Sequence, residues 1–506
     1  MPQYQTRVET DVIVIGYGSA GGTSALTAAR HGVQVLLLEK ADQAGGNSLV
    51  SSAMMTYPIL EEQKQQFVDY LHQVTHGTTP KELVQTFVDG LLLNPQWFRD
   101  LGGELEVYDY KQTDPSISYY IPDKTFPQLP AAKGLNLQLR RLKQTATVPE
   151  RTGGARVWHL INRNVEKEKN IQVMTGTAVV EIVKNTMGQV IGVIADHAGE
   201  RFFCKARKGV IMTCGGFEYD AELKAQYLRP QKIQASGSPH NTGDGVRLAE
   251  KVGAQLWHMD AEASAIGIKP DGWDAGFVLT VRRPGFIYVD SRGDRYVNEA
   301  RLEAHNAGAA IGEFNLPAYE YSRLPSFLIM DEENGRGAPL GMDIFSYNVV
   351  VKGYQWSKDN SAEIAKGWIQ VANDLPELSR ITGIELTALT ATISNYNAQA
   401  RAGVDRDHGR PPETLKAIEA PYYVATIVPL MYNTQGGPRR DEHARVLDPD
   451  GKPIPHLFGA GECGSIWGFK YQTSTNFSET IVYGRIAGAN AAQTPSVEDF
   501  RSTLLD

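Results

Sequence analysis

Residues 11–15 (DVIVI) form a short apolar run rich in β-branched side chains, and the run ends in GYGSAGG. A strand buried on both faces reads this way, because strict alternation appears only where one face meets water. Residues 23–30 (TSALTAAR) are small and suit a helix, and 33–38 (VQVLLL) is a second apolar run that stops at Glu39. Strand, glycine turn, helix and strand in close succession predict a βαβ unit. From about 55 to 145 the pattern predicts helices with polar faces, interrupted by aromatics such as Tyr108, Tyr119 and Tyr120. A helix is expected over 154–165, and the runs IQVM, TAVVEIV, VIGVIADH and FFCKARKGVIM predict strands that return to the first sheet. Mixed helices and loops follow from about 262 to 430, with a helical stretch at 386–402, before HLFGAGE and ETIVYGRIAGANAA restore strand and helix. No repeat and no low-complexity tract interrupts this order.

The chain has 506 residues, enough to bury a sizeable core in about three domains by the usual domain size. Its 50 lysines and arginines face 58 acidic residues, a formal charge of −8, and no long basic run offers a footprint for nucleic acid or an anionic membrane surface. Cys204, Cys214 and Cys463 form no CxxC or haem-attachment spacing and are too few for a disulfide framework or an iron–sulfur cluster, so no metal centre is expected. No apolar stretch approaches a membrane span, and the N-terminus lacks the pattern of a secretory signal. The expectation is a soluble cytoplasmic protein, of an oligomeric state the sequence leaves open.

Gly16, Gly18 and Gly21 space a G-x-G-x-x-G between the first strand and the helix. The first glycine permits the tight turn, the second lets backbone approach a pyrophosphate, and the third allows close helix–strand packing. The helix N-terminus adds unpaired N–H groups and a positive dipole end. Glu39 closes the second strand, where a carboxylate binds ribose hydroxyls and repels a 2′-phosphate. The pattern predicts dinucleotide binding.

Further motifs follow in order: GGNS (45–48), TCGGFEYD (213–220), HNTGDG (240–245), DRYVNE (294–299), SNYNAQARAGVDRDHGR (394–410), NTQGG (433–437) and FGAGE…GRIAG (458–488). With them the chain resembles, over nearly its whole length, the fumarate reductase/3-ketosteroid dehydrogenase flavoproteins. The resemblance implies an α/β fold: a Rossmann-type FAD-binding domain at 1–261 and 434–506, interrupted by an inserted α+β capping (catalytic) domain at 262–433. It implies FAD held by Gly16, Gly18, Ser19, Ala20, Gly21, Glu39, Lys40, Gly46, Asn47, Ser48, Ala178, Gly215, Asn241, Asp244, Gly461, Glu462, Asn476 and Ser478. Asn47 and Ser48 would lie on the phosphates and flavin edge, Ala178 would reach adenine through its backbone, and Glu462 would hold the ribitol. The plainer alternatives are a capping role for Ser48 and a helix-dipole role for Glu462. Members that attach FAD covalently carry a histidine after the GG turn; Leu49 and Val50 stand here, which implies non-covalent FAD. With no haem or iron–sulfur motif, electrons are expected to pass to or from a diffusible acceptor or donor.

The same resemblance divides the substrates. Dicarboxylate reductases of the family clamp carboxylates with histidines and arginines and deliver a proton from an arginine. Asn433, Tyr471 and Glu303 stand at three of those places, and the remaining histidine falls near Ala265. The ketosteroid branch has a tyrosine at the place of Tyr471, donating to the substrate ketone with a backbone N–H at Thr475. A tyrosine O–H is a neutral donor suited to a developing enolate. The branch's catalytic tyrosine falls at Glu303, so the base is either Glu303 or one of Tyr119 and Tyr120. The plainer readings are packing for the tyrosines, a surface pair with Arg301 for Glu303, and a structural role for His305. Met54, Met55, Trp467, Phe469 and Lys470 are candidates for pocket or core. The expected reaction is desaturation next to a neutral, cyclic ketone, by α-proton abstraction and hydride transfer; the alternative is reduction of a conjugated ketone or acid.

Overall fold

The computed structural model describes residues 4–109, 124–229, 232–302, 305–342 and 345–497. The first strand, β1 (Thr6–Ile15), lies in the middle of an eight-stranded sheet. It pairs in parallel with β2 (Val35–Leu38), Val12 opposite Val35, and on its other side with the strand Glu200–Met212, Ile15 opposite Met212. Val12, Ile13 and Val14 have no exposed surface, which is why their sequence is apolar throughout. The strands Thr177–Lys184 and Val190–His197 form an antiparallel arm that returns to this sheet through Glu200–Met212, as expected.

The crossover helix α1 (Ser19–Arg30) begins four residues earlier than its apolar pattern indicates, because the glycine turn itself runs into the first helical turn with Gly18 at the N-cap. It is covered by the last helix, Asn476–Gln493. A side chain at Gly488 would overlap the Ser24 carbonyl, and a Cβ at Gly484 would stand 3.1 Å from the Ala20 carbonyl oxygen. The glycines of GRIAG are therefore what lets two helices close on each other.

A second sheet is organised on the long strand Tyr422–Thr434. One half pairs antiparallel with Ser326–Met330, Ser326 opposite Ile427, and the other with Glu262–Ile268, Gly267 opposite Val428. Gln234–Ala235 joins this sheet in parallel from upstream of residue 262. The helix at Leu386–Ala402 has the expected bounds.

Residues 55–145 differ from the helical expectation. The helices Lys64–Val74 and Lys81–Asp100 are present, but Met55–Pro58, Leu105–Val107 and Leu137–Leu142 form a three-stranded antiparallel sheet. The run LQLRRL carries its strand signal in only three leucines, and pairing with Met55–Pro58 decides its conformation. Among the described residues no helix is long and apolar enough to cross a membrane.

Candidate active site

The three glycines of the first turn have three different neighbours. Gly16 has φ +97°, and a Cβ there would lie 2.5 Å from the Thr213 carbonyl oxygen. A side chain at Gly21 would overlap the Gly16 carbonyl. At Gly18 a Cβ would meet only Ser48 Oγ at 3.3 Å and the Gly45 carbonyl oxygen at 3.8 Å, and beyond them lies the cavity that Gly18 lines. Protein packing demands the first and third glycines, whereas the second keeps room for a ligand against the amides of the α1 N-terminus. Ser48 Oγ accepts from the Ser19 N–H at 2.9 Å, so this hydroxyl caps the helix as well as facing the cavity. The Ser19 hydroxyl is buried and has no hydrogen-bond partner. Ala20 lines the cavity beside Gly461, whose φ is +76°.

At one end, Glu39 Oε2 accepts from the Tyr17 N–H and Oε1 from the Ala41 N–H, each at 2.8 Å. These bonds fix the carboxylate on the cavity wall and leave it lone pairs for ribose hydroxyls. Lys40 Nζ donates to Thr242 Oγ1 at 2.6 Å and pairs with Asp244, the first residue of the helix Asp244–Lys251. The wall beside them consists of Thr177 and Val179, not Ala178. The Thr177 N–H donates to the Glu39 carbonyl, and Ala178 stands opposite Asp196 of the neighbouring strand Val190–His197.

In the middle, Gly46 (φ +48°) has open space at its Cβ position, and Asn47 joins two buried acids. Its Oδ1 accepts from the Ser238 N–H at 2.7 Å, while Nδ2 faces Glu462 Oε2 at 3.2 Å and Glu218 Oε1 at 3.3 Å. Burial pushes the Glu218 carboxyl up to about 7. Burial and then the neighbouring Glu218 charge push Glu462 well above the ordinary carboxylate range. Two carboxylates on one amide do not both ionise readily, and the one that keeps its proton gains a donor. Gly215 (φ +71°) backs Asn241, whose Oδ1 would lie 2.6 Å from a Cβ there; both line the cavity.

At the far end, Tyr471, Tyr432 and His305 come together from three separate segments. The His305 ring lies 5.0 Å from Tyr432, tilted, and 5.8 Å from Tyr471, perpendicular to it. His305 Nδ1 is 3.3 Å from Thr473 Oγ1, and its carbonyl accepts from the Ser264 N–H at 2.8 Å. That bond ties the loop to the strand Glu262–Ile268. Tyr471 is only 4% exposed. Asn476 Nδ2 donates to Asn433 Oδ1 and Gln435 Nε2 to Asn476 Oδ1, both at 3.1 Å, and Met54, Phe345 and Ser346 complete the wall. Among the described lining residues Lys40 is the only lysine and there is no arginine.

Several expectations change here. Thr475 is fully buried, and its N–H and hydroxyl both go to the Gln472 carbonyl, at 3.2 and 2.6 Å, so its amide is not a donor to the cavity. The open first turn of the last helix instead places Asn476 and Phe477 on the wall. Ser478 lies behind them, its hydroxyl buried without a partner. Met55 and Trp467 are core, Trp467 edge-on to Phe87, and Phe469 is half exposed beside His76. Glu303, Tyr119 and Tyr120 lie outside the described residues. Sequence reasoning set His305 aside as structural and passed over Tyr432. Residue type was the only signal for His305, since it lies in a loop without periodicity; Tyr432 was marked only by its place beside Asn433.

The cavity fits FAD, with space reserved by Gly18 and Gly46, amides at α1, Glu39 for a ribose, and the Asn47–Glu462 wall leading to the aromatic end. The FAD binding domain family matches residues 11–477. The chain is 26% identical over 570 aligned residues or more to mycobacterial proteins, among them the 3-oxosteroid 1-dehydrogenase of Mycolicibacterium smegmatis, covering 97% of this chain and 98% of that one. It is also 26% identical to a fumarate reductase (cytochrome) of Shewanella frigidimarina, covering 96% of this chain and 77% of that one. In structure it is similar to the 3-ketosteroid delta1-dehydrogenase of Sterolibacterium denitrificans, with a TM-score of 0.81 at 21% identity over 96% of this chain and 99% of that one. The chain belongs to the FAD binding domain family, and it is an FAD-dependent oxidoreductase acting on CH–CH groups.

Proposed function

We propose that the protein introduces a carbon–carbon double bond next to the carbonyl of a neutral, cyclic ketone. The observation that carries this reading is the aromatic end of the cavity, where Tyr471 and His305 stand together on a wall whose only lysine among the described residues, Lys40, is paired with Asp244 at the other end. A dicarboxylate would need cations there, because a desolvated carboxylate without a partner costs several kcal/mol.

Bound FAD supplies two-electron chemistry, exchanging a hydride with a substrate carbon. Tyr471 donates its O–H to the ketone oxygen and stabilises the charge that develops on it as the α-proton leaves. His305 takes that proton, with Tyr432 packed on one side of the ring and Thr473 fixing Nδ1. Asn433 and Asn476, bonded to each other and backed by Gln435, form a polar part of the cavity wall. We assign residues 262–433 as the cap that brings His305, Phe345, Ser346, Tyr432 and Asn433 over FAD held non-covalently by the remainder. Reoxidation is assigned to a separate, diffusible acceptor. The likeness to 3-oxosteroid 1-dehydrogenases supports a ring-bearing ketone. Reduction of a conjugated ketone would use the same two groups with the proton moving the other way.

The test is exchange of the substrate α-proton in deuterated water. Wild type should exchange it under anaerobic conditions, and His305→Gln should lose exchange and dehydrogenation together while Glu303→Gln retains both. Loss of both activities in Glu303→Gln alone would move the base to the carboxylate.

A further inference from the structure

Two of the three cysteines, unconnected in sequence, meet behind the cofactor cradle. Cys214 lies two residues beyond the strand Glu200–Met212, just before Gly215, and Cys463 follows Glu462. From the Cβ position of Gly245, Cys214 Cβ is 2.9 Å and Cys214 Sγ 3.5 Å away, and Cys463 Sγ is closer still. Only a glycine at 245 leaves room for this pair. Cys214 Sγ donates to the Ile15 carbonyl oxygen at 3.7 Å and lies close enough to Cys463 for each thiol to shift the other's proton affinity. Cys214 is half-buried on the cavity wall, whereas Cys463 is 1% exposed. Arg440, fully buried and paired with Glu479, lies close enough for its charge to act on Cys463. Cys204, by contrast, sits in the core of the antiparallel arm, where burial raises its thiol to about 11.

We propose that Cys214 and Cys463 are a dithiol that hydrogen peroxide entering the cofactor cavity oxidises to a disulfide. The chemistry is asymmetric. Hydrogen bonds from Cys214 and then the Arg440 charge hold Cys463 below the usual thiol range, while the bond to Cys463 and burial hold Cys214 above it. Peroxide in the cavity meets the Cys214 sulfur, which gives its proton to the Cys463 thiolate as it attacks one peroxide oxygen; the O–O bond breaks, and hydroxide leaves with a solvent proton as water, giving the Cys214 sulfenic acid. The Cys463 sulfur then attacks the Cys214 sulfur, and the sulfenic hydroxyl leaves with the Cys463 proton as a second water. Two thiols and one peroxide thus become one disulfide and two waters. Because Cys214 faces the space that FAD fills, the cofactor shields the pair, and oxidation reports an empty site.

The test treats the holoprotein and the flavin-stripped full chain with hydrogen peroxide, blocks remaining thiols and maps peptides by mass spectrometry. The stripped chain should show a Cys214–Cys463 linked peptide and only Cys204 alkylated, reversed by dithiothreitol, and the holoprotein should form it at least ten times more slowly. In Cys463→Ser, Cys214 should instead be captured as a dimedone adduct. Absence of the linked peptide, or equal rates with and without flavin, would overturn the proposal.

Discussion

The two ends of the cavity are built by different rules. At the phosphate turn, backbone geometry decides the residues: Gly21 is forced by the Gly16 carbonyl within the same turn, and Gly16 by the Thr213 carbonyl just beyond the parallel strand that pairs with β1. At the aromatic end, Tyr432, His305 and Tyr471 are each placed by a different element, and only the second sheet and the loop before the last helix bring them together. A cofactor cradle of the first kind is local and constrained by sterics. A substrate end of the second kind is long-range, so its chemistry can change without disturbing the cradle.

That difference is broken most severely at the glycines. Gly21→Val should abolish soluble folded protein, since its side chain has nowhere to go between α1 and β1. Gly18→Val should fold with near-native circular dichroism but lack the visible flavin spectrum, because its side chain fills only the ligand's space. If both variants are equally misfolded, the ligand-reserved space at Gly18 is not what sets that residue.

The sequence was legible in proportion to this locality. The βαβ unit, its three glycines, Glu39 and the bounds of the helix Leu386–Ala402 follow from short-range periodicity and spacing. The segment 55–145 was misread because Leu137–Leu142 becomes a strand only through its partner Met55–Pro58. Ala178 and Thr475 are placed by resemblance alone; in the structure Thr177 and Val179 line the cavity on either side of Ala178, and the Thr475 amide is bonded to the Gln472 carbonyl. No spacing rule joins His305 to Tyr471.

At the aromatic end, loss of a general base typically costs about 100- to 10,000-fold, and His305→Gln should lie in that range. Tyr471→Phe removes a single donor and should lower turnover about 100- to 1,000-fold. Both should keep FAD content and thermal midpoint close to wild type, measured by absorbance and melting; a fall in flavin content with the rate would make them part of the cradle instead.

Glu218 should reveal itself in stability and not in rate. Its carboxyl holds its proton to about pH 7 when folded, whereas an ordinary glutamate loses it near 4.5. Its contribution is therefore complete below about 4.5 and disappears as pH rises through 7. Glu218→Gln, which cannot ionise, should flatten the fall in melting temperature across that window and be the more stable protein at pH 8. A parallel pH profile would contradict this. The smallest effect is expected from Thr475→Val: loss of one buried hydrogen bond, about 1 kcal/mol of stability, with turnover nearly unchanged.

The most direct measurement of the substrate end is anaerobic stopped-flow spectroscopy of the flavin with two sets of compounds. Saturated cyclic 3-ketones should bleach the oxidised flavin in one fast phase, their conjugated products should restore it in the reduced enzyme, and succinate and fumarate should do neither. Rapid reoxidation of the reduced enzyme by fumarate would contradict a substrate end that has no lysine or arginine among its described residues.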